Sequence, residues 1–505
     1  MRRYAMRLMV AVLVLAACGL QAESIPGLGT ATFPTSTKVS EAQHEFLRGL
    51  LLLHVFEYDD ALKAFQAAEK LDPAFAMAYW GEAMTYNHPV WNQVDPAAGK
   101  AALAKFAATP EARAAKIGDA KERDYMDALE ILYSDAGSKR DRDVKYADAF
   151  EKMAAKYPKD DEVQLFYSLA LLGRNEGVRD VPAYLKAAAI AKAAFERNPQ
   201  HPGAAHYWIH GMDDPQHAAG ALVAARALSK IAPDAGHALH MCSHIFMAMG
   251  MWDDVIAANQ NGIRVVDDQA KAQKRPVIDC GHYAIWLEYG FYQEGRRKEG
   301  DDAVAACERT GKAALEWTSA QPGDAAARDK KVASMQARVN NSLSEMRAIS
   351  VIETKDWTGP AATALGSVAD SKDGVAAFAI GYAAAQRGDR GTAENALEQV
   401  QKAAKAGGDE AQALGVMAEM LHGLMLSKDG KAAEGIAEVR KAADEYAAMA
   451  FDFGPPVTVK PPHELLGEML LEQKKPTEAK AAFAMALKFA PKRKLSVEGM
   501  GSAGK

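Results

Sequence analysis

The sequence predicts an all-α solenoid of helix-turn-helix repeats with degenerate units and helical insertions. Two observations carry this: a 34-residue pattern of small and aromatic residues recurs at both ends of the chain, and histidines repeat on the same period between them. At 505 residues, 49% of them hydrophobic, the chain exceeds what one compact core usually organises, so it is either multidomain or a repeat array. The net charge of −6, with no long basic stretch, excludes nucleic acid as a natural partner.

The N-terminus reads as a targeting segment. Arg2, Arg3 and Arg7 precede an apolar run from Leu8 to Ala17 that is too short to span a bilayer. Leu15-Ala16-Ala17-Cys18 resembles a bacterial lipobox, so residues 1–18 are expected to form a lipoprotein-type signal with Cys18 lipidated. Gly19 after the cysteine resembles the pattern sorted to the outer membrane. Cleavage after Ala22 is the alternative, disfavoured by bulky Leu20, and would leave a soluble periplasmic or secreted chain. Residues 19–40 are expected to be an exposed linker.

Residues 41–95 hold the N-terminal repeat units. In the unit 42–75, Gly49, Ala61, Phe65, Ala68 and Pro73 fall at positions 8, 20, 24, 27 and 32 of the 34-residue template of tetratricopeptide (TPR) repeats. The small residues let two helices approach, and the proline stops the second. A further first helix is expected from Ala76 to Trp91. Residues 96–160 read as a helical insertion or degenerate repeat, for example over Lys121–Tyr133.

Residues 161–310 form His-rich units ending at Pro199 and Pro233, with a helix pair around Asp279–Thr310. Residues 311–447 read as degenerate helical repeats, with helices expected around Asp329–Glu353, Gly374–Ala403 and Asp409–Ala447. The C-terminal unit, 448–494, matches the template independently: Gly467, Ala479, Phe483, Ala486 and Pro491 occupy the same five positions of a unit beginning at Lys460. Residues 495–505 are expected to be a frayed tail.

Asp59-Asp60, Asp213-Asp214 and Asp253-Asp254 precede second helices. They are expected to cap the free N–H groups there, with Asp214-Pro215 as N-cap and N1.

Eight of the thirteen histidines lie between residues 201 and 282. His206 and His240 stand 34 residues apart, as do His210 and His244, so two His-x-x-x-His pairs occupy positions 5 and 9 of consecutive first helices. His237 and His282 take position 2. His54 and His88 repeat at position 13, with Trp80 at position 5, and Glu464 and Glu468 stand at positions 5 and 9 of the last unit. Residues four apart share a helix face, and packed helix axes lie about 8–10 Å apart, so imidazoles on neighbouring helices can converge.

Three readings follow. His206, His210, His240 and His244 could hold a divalent transition metal (zinc, copper or nickel) through neutral imidazoles. Alternatively, the patch could grip a small molecule or a protein segment, or the histidines could satisfy one another and backbone carbonyls. Cys242 is expected in the core, and Cys280 is the better thiol ligand candidate. With Cys242, Cys280 and Cys307 left after cleavage, one disulfide and one free thiol, or three free thiols, are both open.

The stretches Leu51–Tyr58, Ala78–Met84, His201–Tyr207 and His240–Phe246, with the closing runs Gly454-Pro455-Pro456 and His463–Glu468, resemble a family of exported bacterial tetratricopeptide proteins (HPGxAHYxIH and HMxSHIF motifs). The resemblance covers nearly all of the chain beyond its signal. It implies a right-handed superhelix whose concave groove is lined by positions 2, 5, 9, 12 and 13. His206, His210, His237, His240, His244, His282, Trp80, Glu82, His54, His88, Glu464 and Glu468 are thereby the candidate groove residues. It assigns no activity. The family usually carries proline where this chain has Cys242; a proline would bend the helix between the two histidines, so its loss is expected to alter their convergence.

The function expected is an envelope-tethered TPR binding protein or scaffold that takes a metal, small molecule or protein segment in its groove. The alternative is a metal-dependent, hydrolase-like enzyme with Glu82, Glu464 or Glu468 as general base. No nucleophile elbow, phosphate loop or zincin motif supports that alternative.

Overall fold

The computed structural model describes residues 23–174, 179–368, 373–408, 410–450 and 453–504. The signal segment and Cys18 lie outside the described residues. The chain is an all-α array of antiparallel helix pairs with two very short hairpins as the sheet among the described residues.

The template unit is the pair Ser40–His54 and Tyr58–Leu71, and the last unit is Pro462–Glu472 and Pro476–Phe489. The shared sequence pattern has a steric cause. A Cβ at Gly49 would stand 2.8 Å from Phe65, and one at Gly467 2.8 Å from Phe483, so each aromatic ring needs a glycine on the facing helix.

The pairs between them are Pro202–Gly211 with Leu222–Ile231, Gly236–Ala248 with Trp252–Ala272, and His282–Gln293 with Arg297–Ser319. Gly374–Arg387 with Arg390–Ala406, and Ala411–Lys428 with Ala432–Ala448, follow. The off-register stretches are helical as expected, including Ala120–Tyr133 and the long helix Ala325–Thr354.

The turns share a conformation. Phe56, Gly250, Gly295, Gly388, Gly430 and Lys474 all have positive φ between the two helices of a pair. Glycine adopts this without cost, whereas an L side chain pays roughly 1–2 kcal/mol. Phe56, at φ 58°, is the aromatic exception, and its ring lies over the imidazoles described below.

Four expectations change. Residues 23–31 form a hairpin in place of an exposed linker: Glu23–Ile25 pairs with Gly29–Ala31, and Ile25, Leu28, Ala31 and Phe33 are buried. Apolar side chains at these positions bring the segment onto the helices, where Phe33 meets Phe46, Trp80 and Tyr125. The helix expected to Trp91 stops at Met84, because Pro89 cannot continue it, and Asn87–His88 pairs with Gln93–Val94. The second helix expected at Pro215 begins at Leu222; Asp214 instead accepts the N–H groups of Gln216 and His217 in a turn. The tail forms a helix, Lys494–Ser502, anchored by the buried side chain of Arg493.

The array curls tightly enough for distant units to touch. Helix Ser40–His54 packs on Pro202–Gly211, and the Trp252 indole N–H donates to the carbonyl of Lys492 at 3.2 Å. Among the described residues no helix is long and apolar enough to cross a membrane.

Candidate metal centre

Three helices bring the register histidines together: Pro202–Gly211, Gly236–Ala248 and His282–Gln293. Six imidazoles form one continuous cluster, in two sets of three whose ligand atoms converge within 4.8 Å: His206, His210 and His237, then His240, His244 and His282. The sets abut, with ring centroids 6.1 Å apart for His210 and His244 and 6.2 Å for His237 and His240. The four-histidine grouping expected from the offsets is thus divided, because each position 2 histidine completes a triad with one i, i+4 pair.

The hydrogen bonds fix the tautomers. His206 Nδ1 lies 2.7 Å from the carbonyl oxygen of His54, an acceptor only, so Nδ1 carries the proton and Nε2 presents its lone pair. The Nε2 atoms of His206, His210 and His237 are all buried without a hydrogen-bond partner. In the second triad, His240 Nδ1 donates to Asn259 Oδ1 at 2.7 Å, the Asn259 amide being oriented by its own N–H donation to Val255. His244 Nδ1 donates to the buried carboxylate of Asp213. Both Nε2 atoms are left to face each other, 3.1 Å apart.

Asp213 was expected to cap a helix, and no sequence signal reveals its partnership with His244 across 31 residues. A carbonyl behind His206, an amide oxygen behind His240 and a carboxylate behind His244 are the kind of partners that orient metal-binding histidines.

Burial controls protonation here. It pushes His206 down to about 3, and it drives His210, His237 and His240 well below the ordinary histidine range, with neighbouring imidazoles adding to the shift. These rings are neutral donors at neutral pH. The expected open concave groove is therefore a nearly closed seam. The Phe56 ring stands 4.4 Å from His206, and Trp286 and Phe453 stand 4.4 and 4.8 Å from His244. Phe56 escaped the sequence reading, although its place in a turn that elsewhere takes glycine or lysine was a signal. The seam opens at one edge, where His282 is exposed and His237 and Tyr283 are half-buried.

Other candidates lie elsewhere. His54 belongs to a third, fully buried group: its Nε2 donates to Glu162 at 2.8 Å, its Nδ1 meets the Tyr207 hydroxyl at 2.9 Å, and His201 Nε2 donates to the other Glu162 oxygen at 2.9 Å. Gly203 permits this, since a Cβ there would stand 2.5 Å from His54 Nδ1. Burial would raise Glu162, but the two histidines hold it well below the carboxylate range. The group is internally satisfied, and the His54 carbonyl in turn orients His206.

Trp80 is core, edge-on to Tyr125 and Phe166. His88 stacks on Tyr58 and bonds the Thr85 carbonyl, off any helix. None of the proposed general bases is free: Glu82 is paired with Lys105, Glu464 with Lys460 and Arg493, and Glu468 with Lys355 and Lys460.

Cys280 is no thiol ligand, being bonded to Cys307 in a disulfide, while Cys242 is free and buried as expected. With cysteine in place of proline, helix Gly236–Ala248 runs without a break between His240 and His244.

No protein-family model and no curated protein matches the chain. Among solved structures, the chain is similar to Cut9 in the Cut9-Hcn1 tetramer of the APC/C, at 12% identity and a TM-score of 0.33, covering 94% of this chain and 78% of that one. Yeast Tom70 matches at 11% identity and a TM-score of 0.32, covering 92% and 88%. The TPR domain of P58(IPK) matches at 14% and 0.22, covering 92% and 97%. Likenesses this distant assign no role to any residue of the site.

Proposed function

We propose that the chain is a transition-metal-binding helical-repeat protein, with the imidazole cluster as its binding site. The observation that carries this is the triad His206, His210 and His237, whose ligand nitrogens converge within 4.8 Å and whose Nε2 atoms are buried without hydrogen bonds. Buried polar atoms are normally partnered, and three imidazoles so placed supply what a divalent ion needs. All-nitrogen donors suit zinc, copper or nickel better than calcium or magnesium. Phe56, Trp286 and Phe453 pack directly on the imidazoles, which favours an ion over a protein segment there. The cavity beside Asp213 and His244, about 30 Å³, is of a size for water molecules. The segment before residue 19, read as an export and lipidation signal, supports a periplasm-facing, membrane-tethered location.

Untagged protein equilibrated with zinc, copper or nickel and then dialysed should retain metal by elemental analysis, and binding should raise its melting temperature. Changing His206 and His210 together to alanine should reduce retention by at least half. Metal-free protein after equilibration with all three ions would refute the assignment.

A further inference from the structure

We propose that the cluster is a dinuclear centre, with one metal ion in each histidine triad and open positions between them that bind a small anion. This rests on the metal-binding reading above and extends it through a separate observation. In the triad His240, His244 and His282, both Nδ1 atoms of the helix pair are committed to acceptors, and the two Nε2 atoms stand 3.1 Å apart. That contact needs a positive charge between the nitrogens, either a proton shared as N–H···N or a metal ion held by both, and the exposed imidazole of His282, 4.6 Å from His240 between ring centroids, completes a three-donor set for the ion. The first triad has its own three donors, so neither set needs to borrow from the other.

Coordination and charge then define the ligand. Each ion receives three neutral nitrogens, which leaves at least one position open, as in catalytic sites. No carboxylate belongs to either triad. Asp213 is engaged through one oxygen with His244, and Glu57 accepts the backbone N–H of His237. Two dications in a buried seam therefore carry more positive charge than these two carboxylates offset, and an anion reaching them through the edge at His237, Tyr283 and His282 supplies the rest. The triads abut, with ring centroids 6.1 and 6.2 Å apart, so the anion proposed to bridge them is a small one such as hydroxide.

Cobalt(II) titration of the metal-free chain, followed by calorimetry and visible absorption, tests this. Two ions per chain are expected, falling to one in H237A and to one in H282A. Both residues sit at the accessible edge, so neither substitution hollows the core. Added azide should shift the visible bands of the two-ion form. One ion per chain, lost in neither variant, would mean a single site shared by His206, His210, His240 and His244, overturning the dinuclear inference while leaving metal binding intact. Two ions with no azide response would overturn the bridging position. No cobalt at all would remove the metal-binding reading together with this one.

Discussion

Replacing Arg493 with alanine is expected to cost about 3–5 kcal/mol, the range found when one partner of a buried ion pair is removed. Arg493 is fully buried at the start of the last helix. Its guanidinium reaches Glu464 through Nε at 2.8 Å and Nη2 at 3.2 Å, Glu353 at 2.6 Å, and the Tyr289 hydroxyl at 2.8 Å. Four helices of different units meet on that one side chain. Burial would raise Glu464, yet Arg493 and Lys460 hold it well below the carboxylate range, so the fold depends on both cations. Without Arg493, Lys460 is the cation left on Glu464, while it also serves Glu468, and Glu353 keeps the Gln293 amide. Repeat arrays lose structure locally. The loss should therefore appear as faster amide exchange across 462–502 and an earlier urea transition. In a double-mutant cycle with Glu464→Ala, the two losses should fall well short of additive. Unchanged exchange there would show that the C-terminal helix is held by apolar packing alone.

The fold was legible wherever the 34-residue pattern was locally complete. Gly49 against Phe65 and Gly467 against Phe483 are contacts within a unit, so sequence spacing encodes them directly. That the pairs His206, His210 and His240, His244 stand on neighbouring helices was legible for the same reason, since repeat offsets translate into neighbouring helix faces, whereas their division between two triads was not. What escaped involves contacts between units. The Asp213 carboxylate meets His244 only once the turn before Leu222 is built as an irregular segment, and Arg493 reaches residues more than 100 positions away. Phe56 and Phe453 close over the imidazoles from different ends of the chain, which is why a predicted open groove became a seam. Glu464, read as a groove residue from its position in the last unit, is instead buried by the helix that replaced the expected frayed tail. The disulfide between Cys280 and Cys307 was one of two open possibilities, because spacing cannot specify pairing.

The second large effect is on acid stability, and its sign follows from the same burial that readies the imidazoles for metal. His206 titrates near pH 6.5 in the unfolded chain and at about 3 in the fold. Between those values the unfolded state holds a proton that the folded state refuses, so stability falls as pH falls, by about 1.4 kcal/mol per pH unit for this one group. His210 and His240, also held well below their ordinary range, act in the same direction. Glu288 and Glu345 act oppositely, since burial raises both and their folded forms take up protons first. The histidine contribution is therefore best read as a difference. His206→Gln keeps a donor for the His54 carbonyl but has no titrating group. In metal-free protein, the stability gap between wild type and this variant should shift by about 2 kcal/mol in the variant's favour from pH 6.5 to pH 4.5. Urea midpoints at the two pH values measure it. Parallel curves would mean that His206 accepts a proton in the folded chain, and a seam able to admit protons that readily would not hold its imidazoles as neutral ligands.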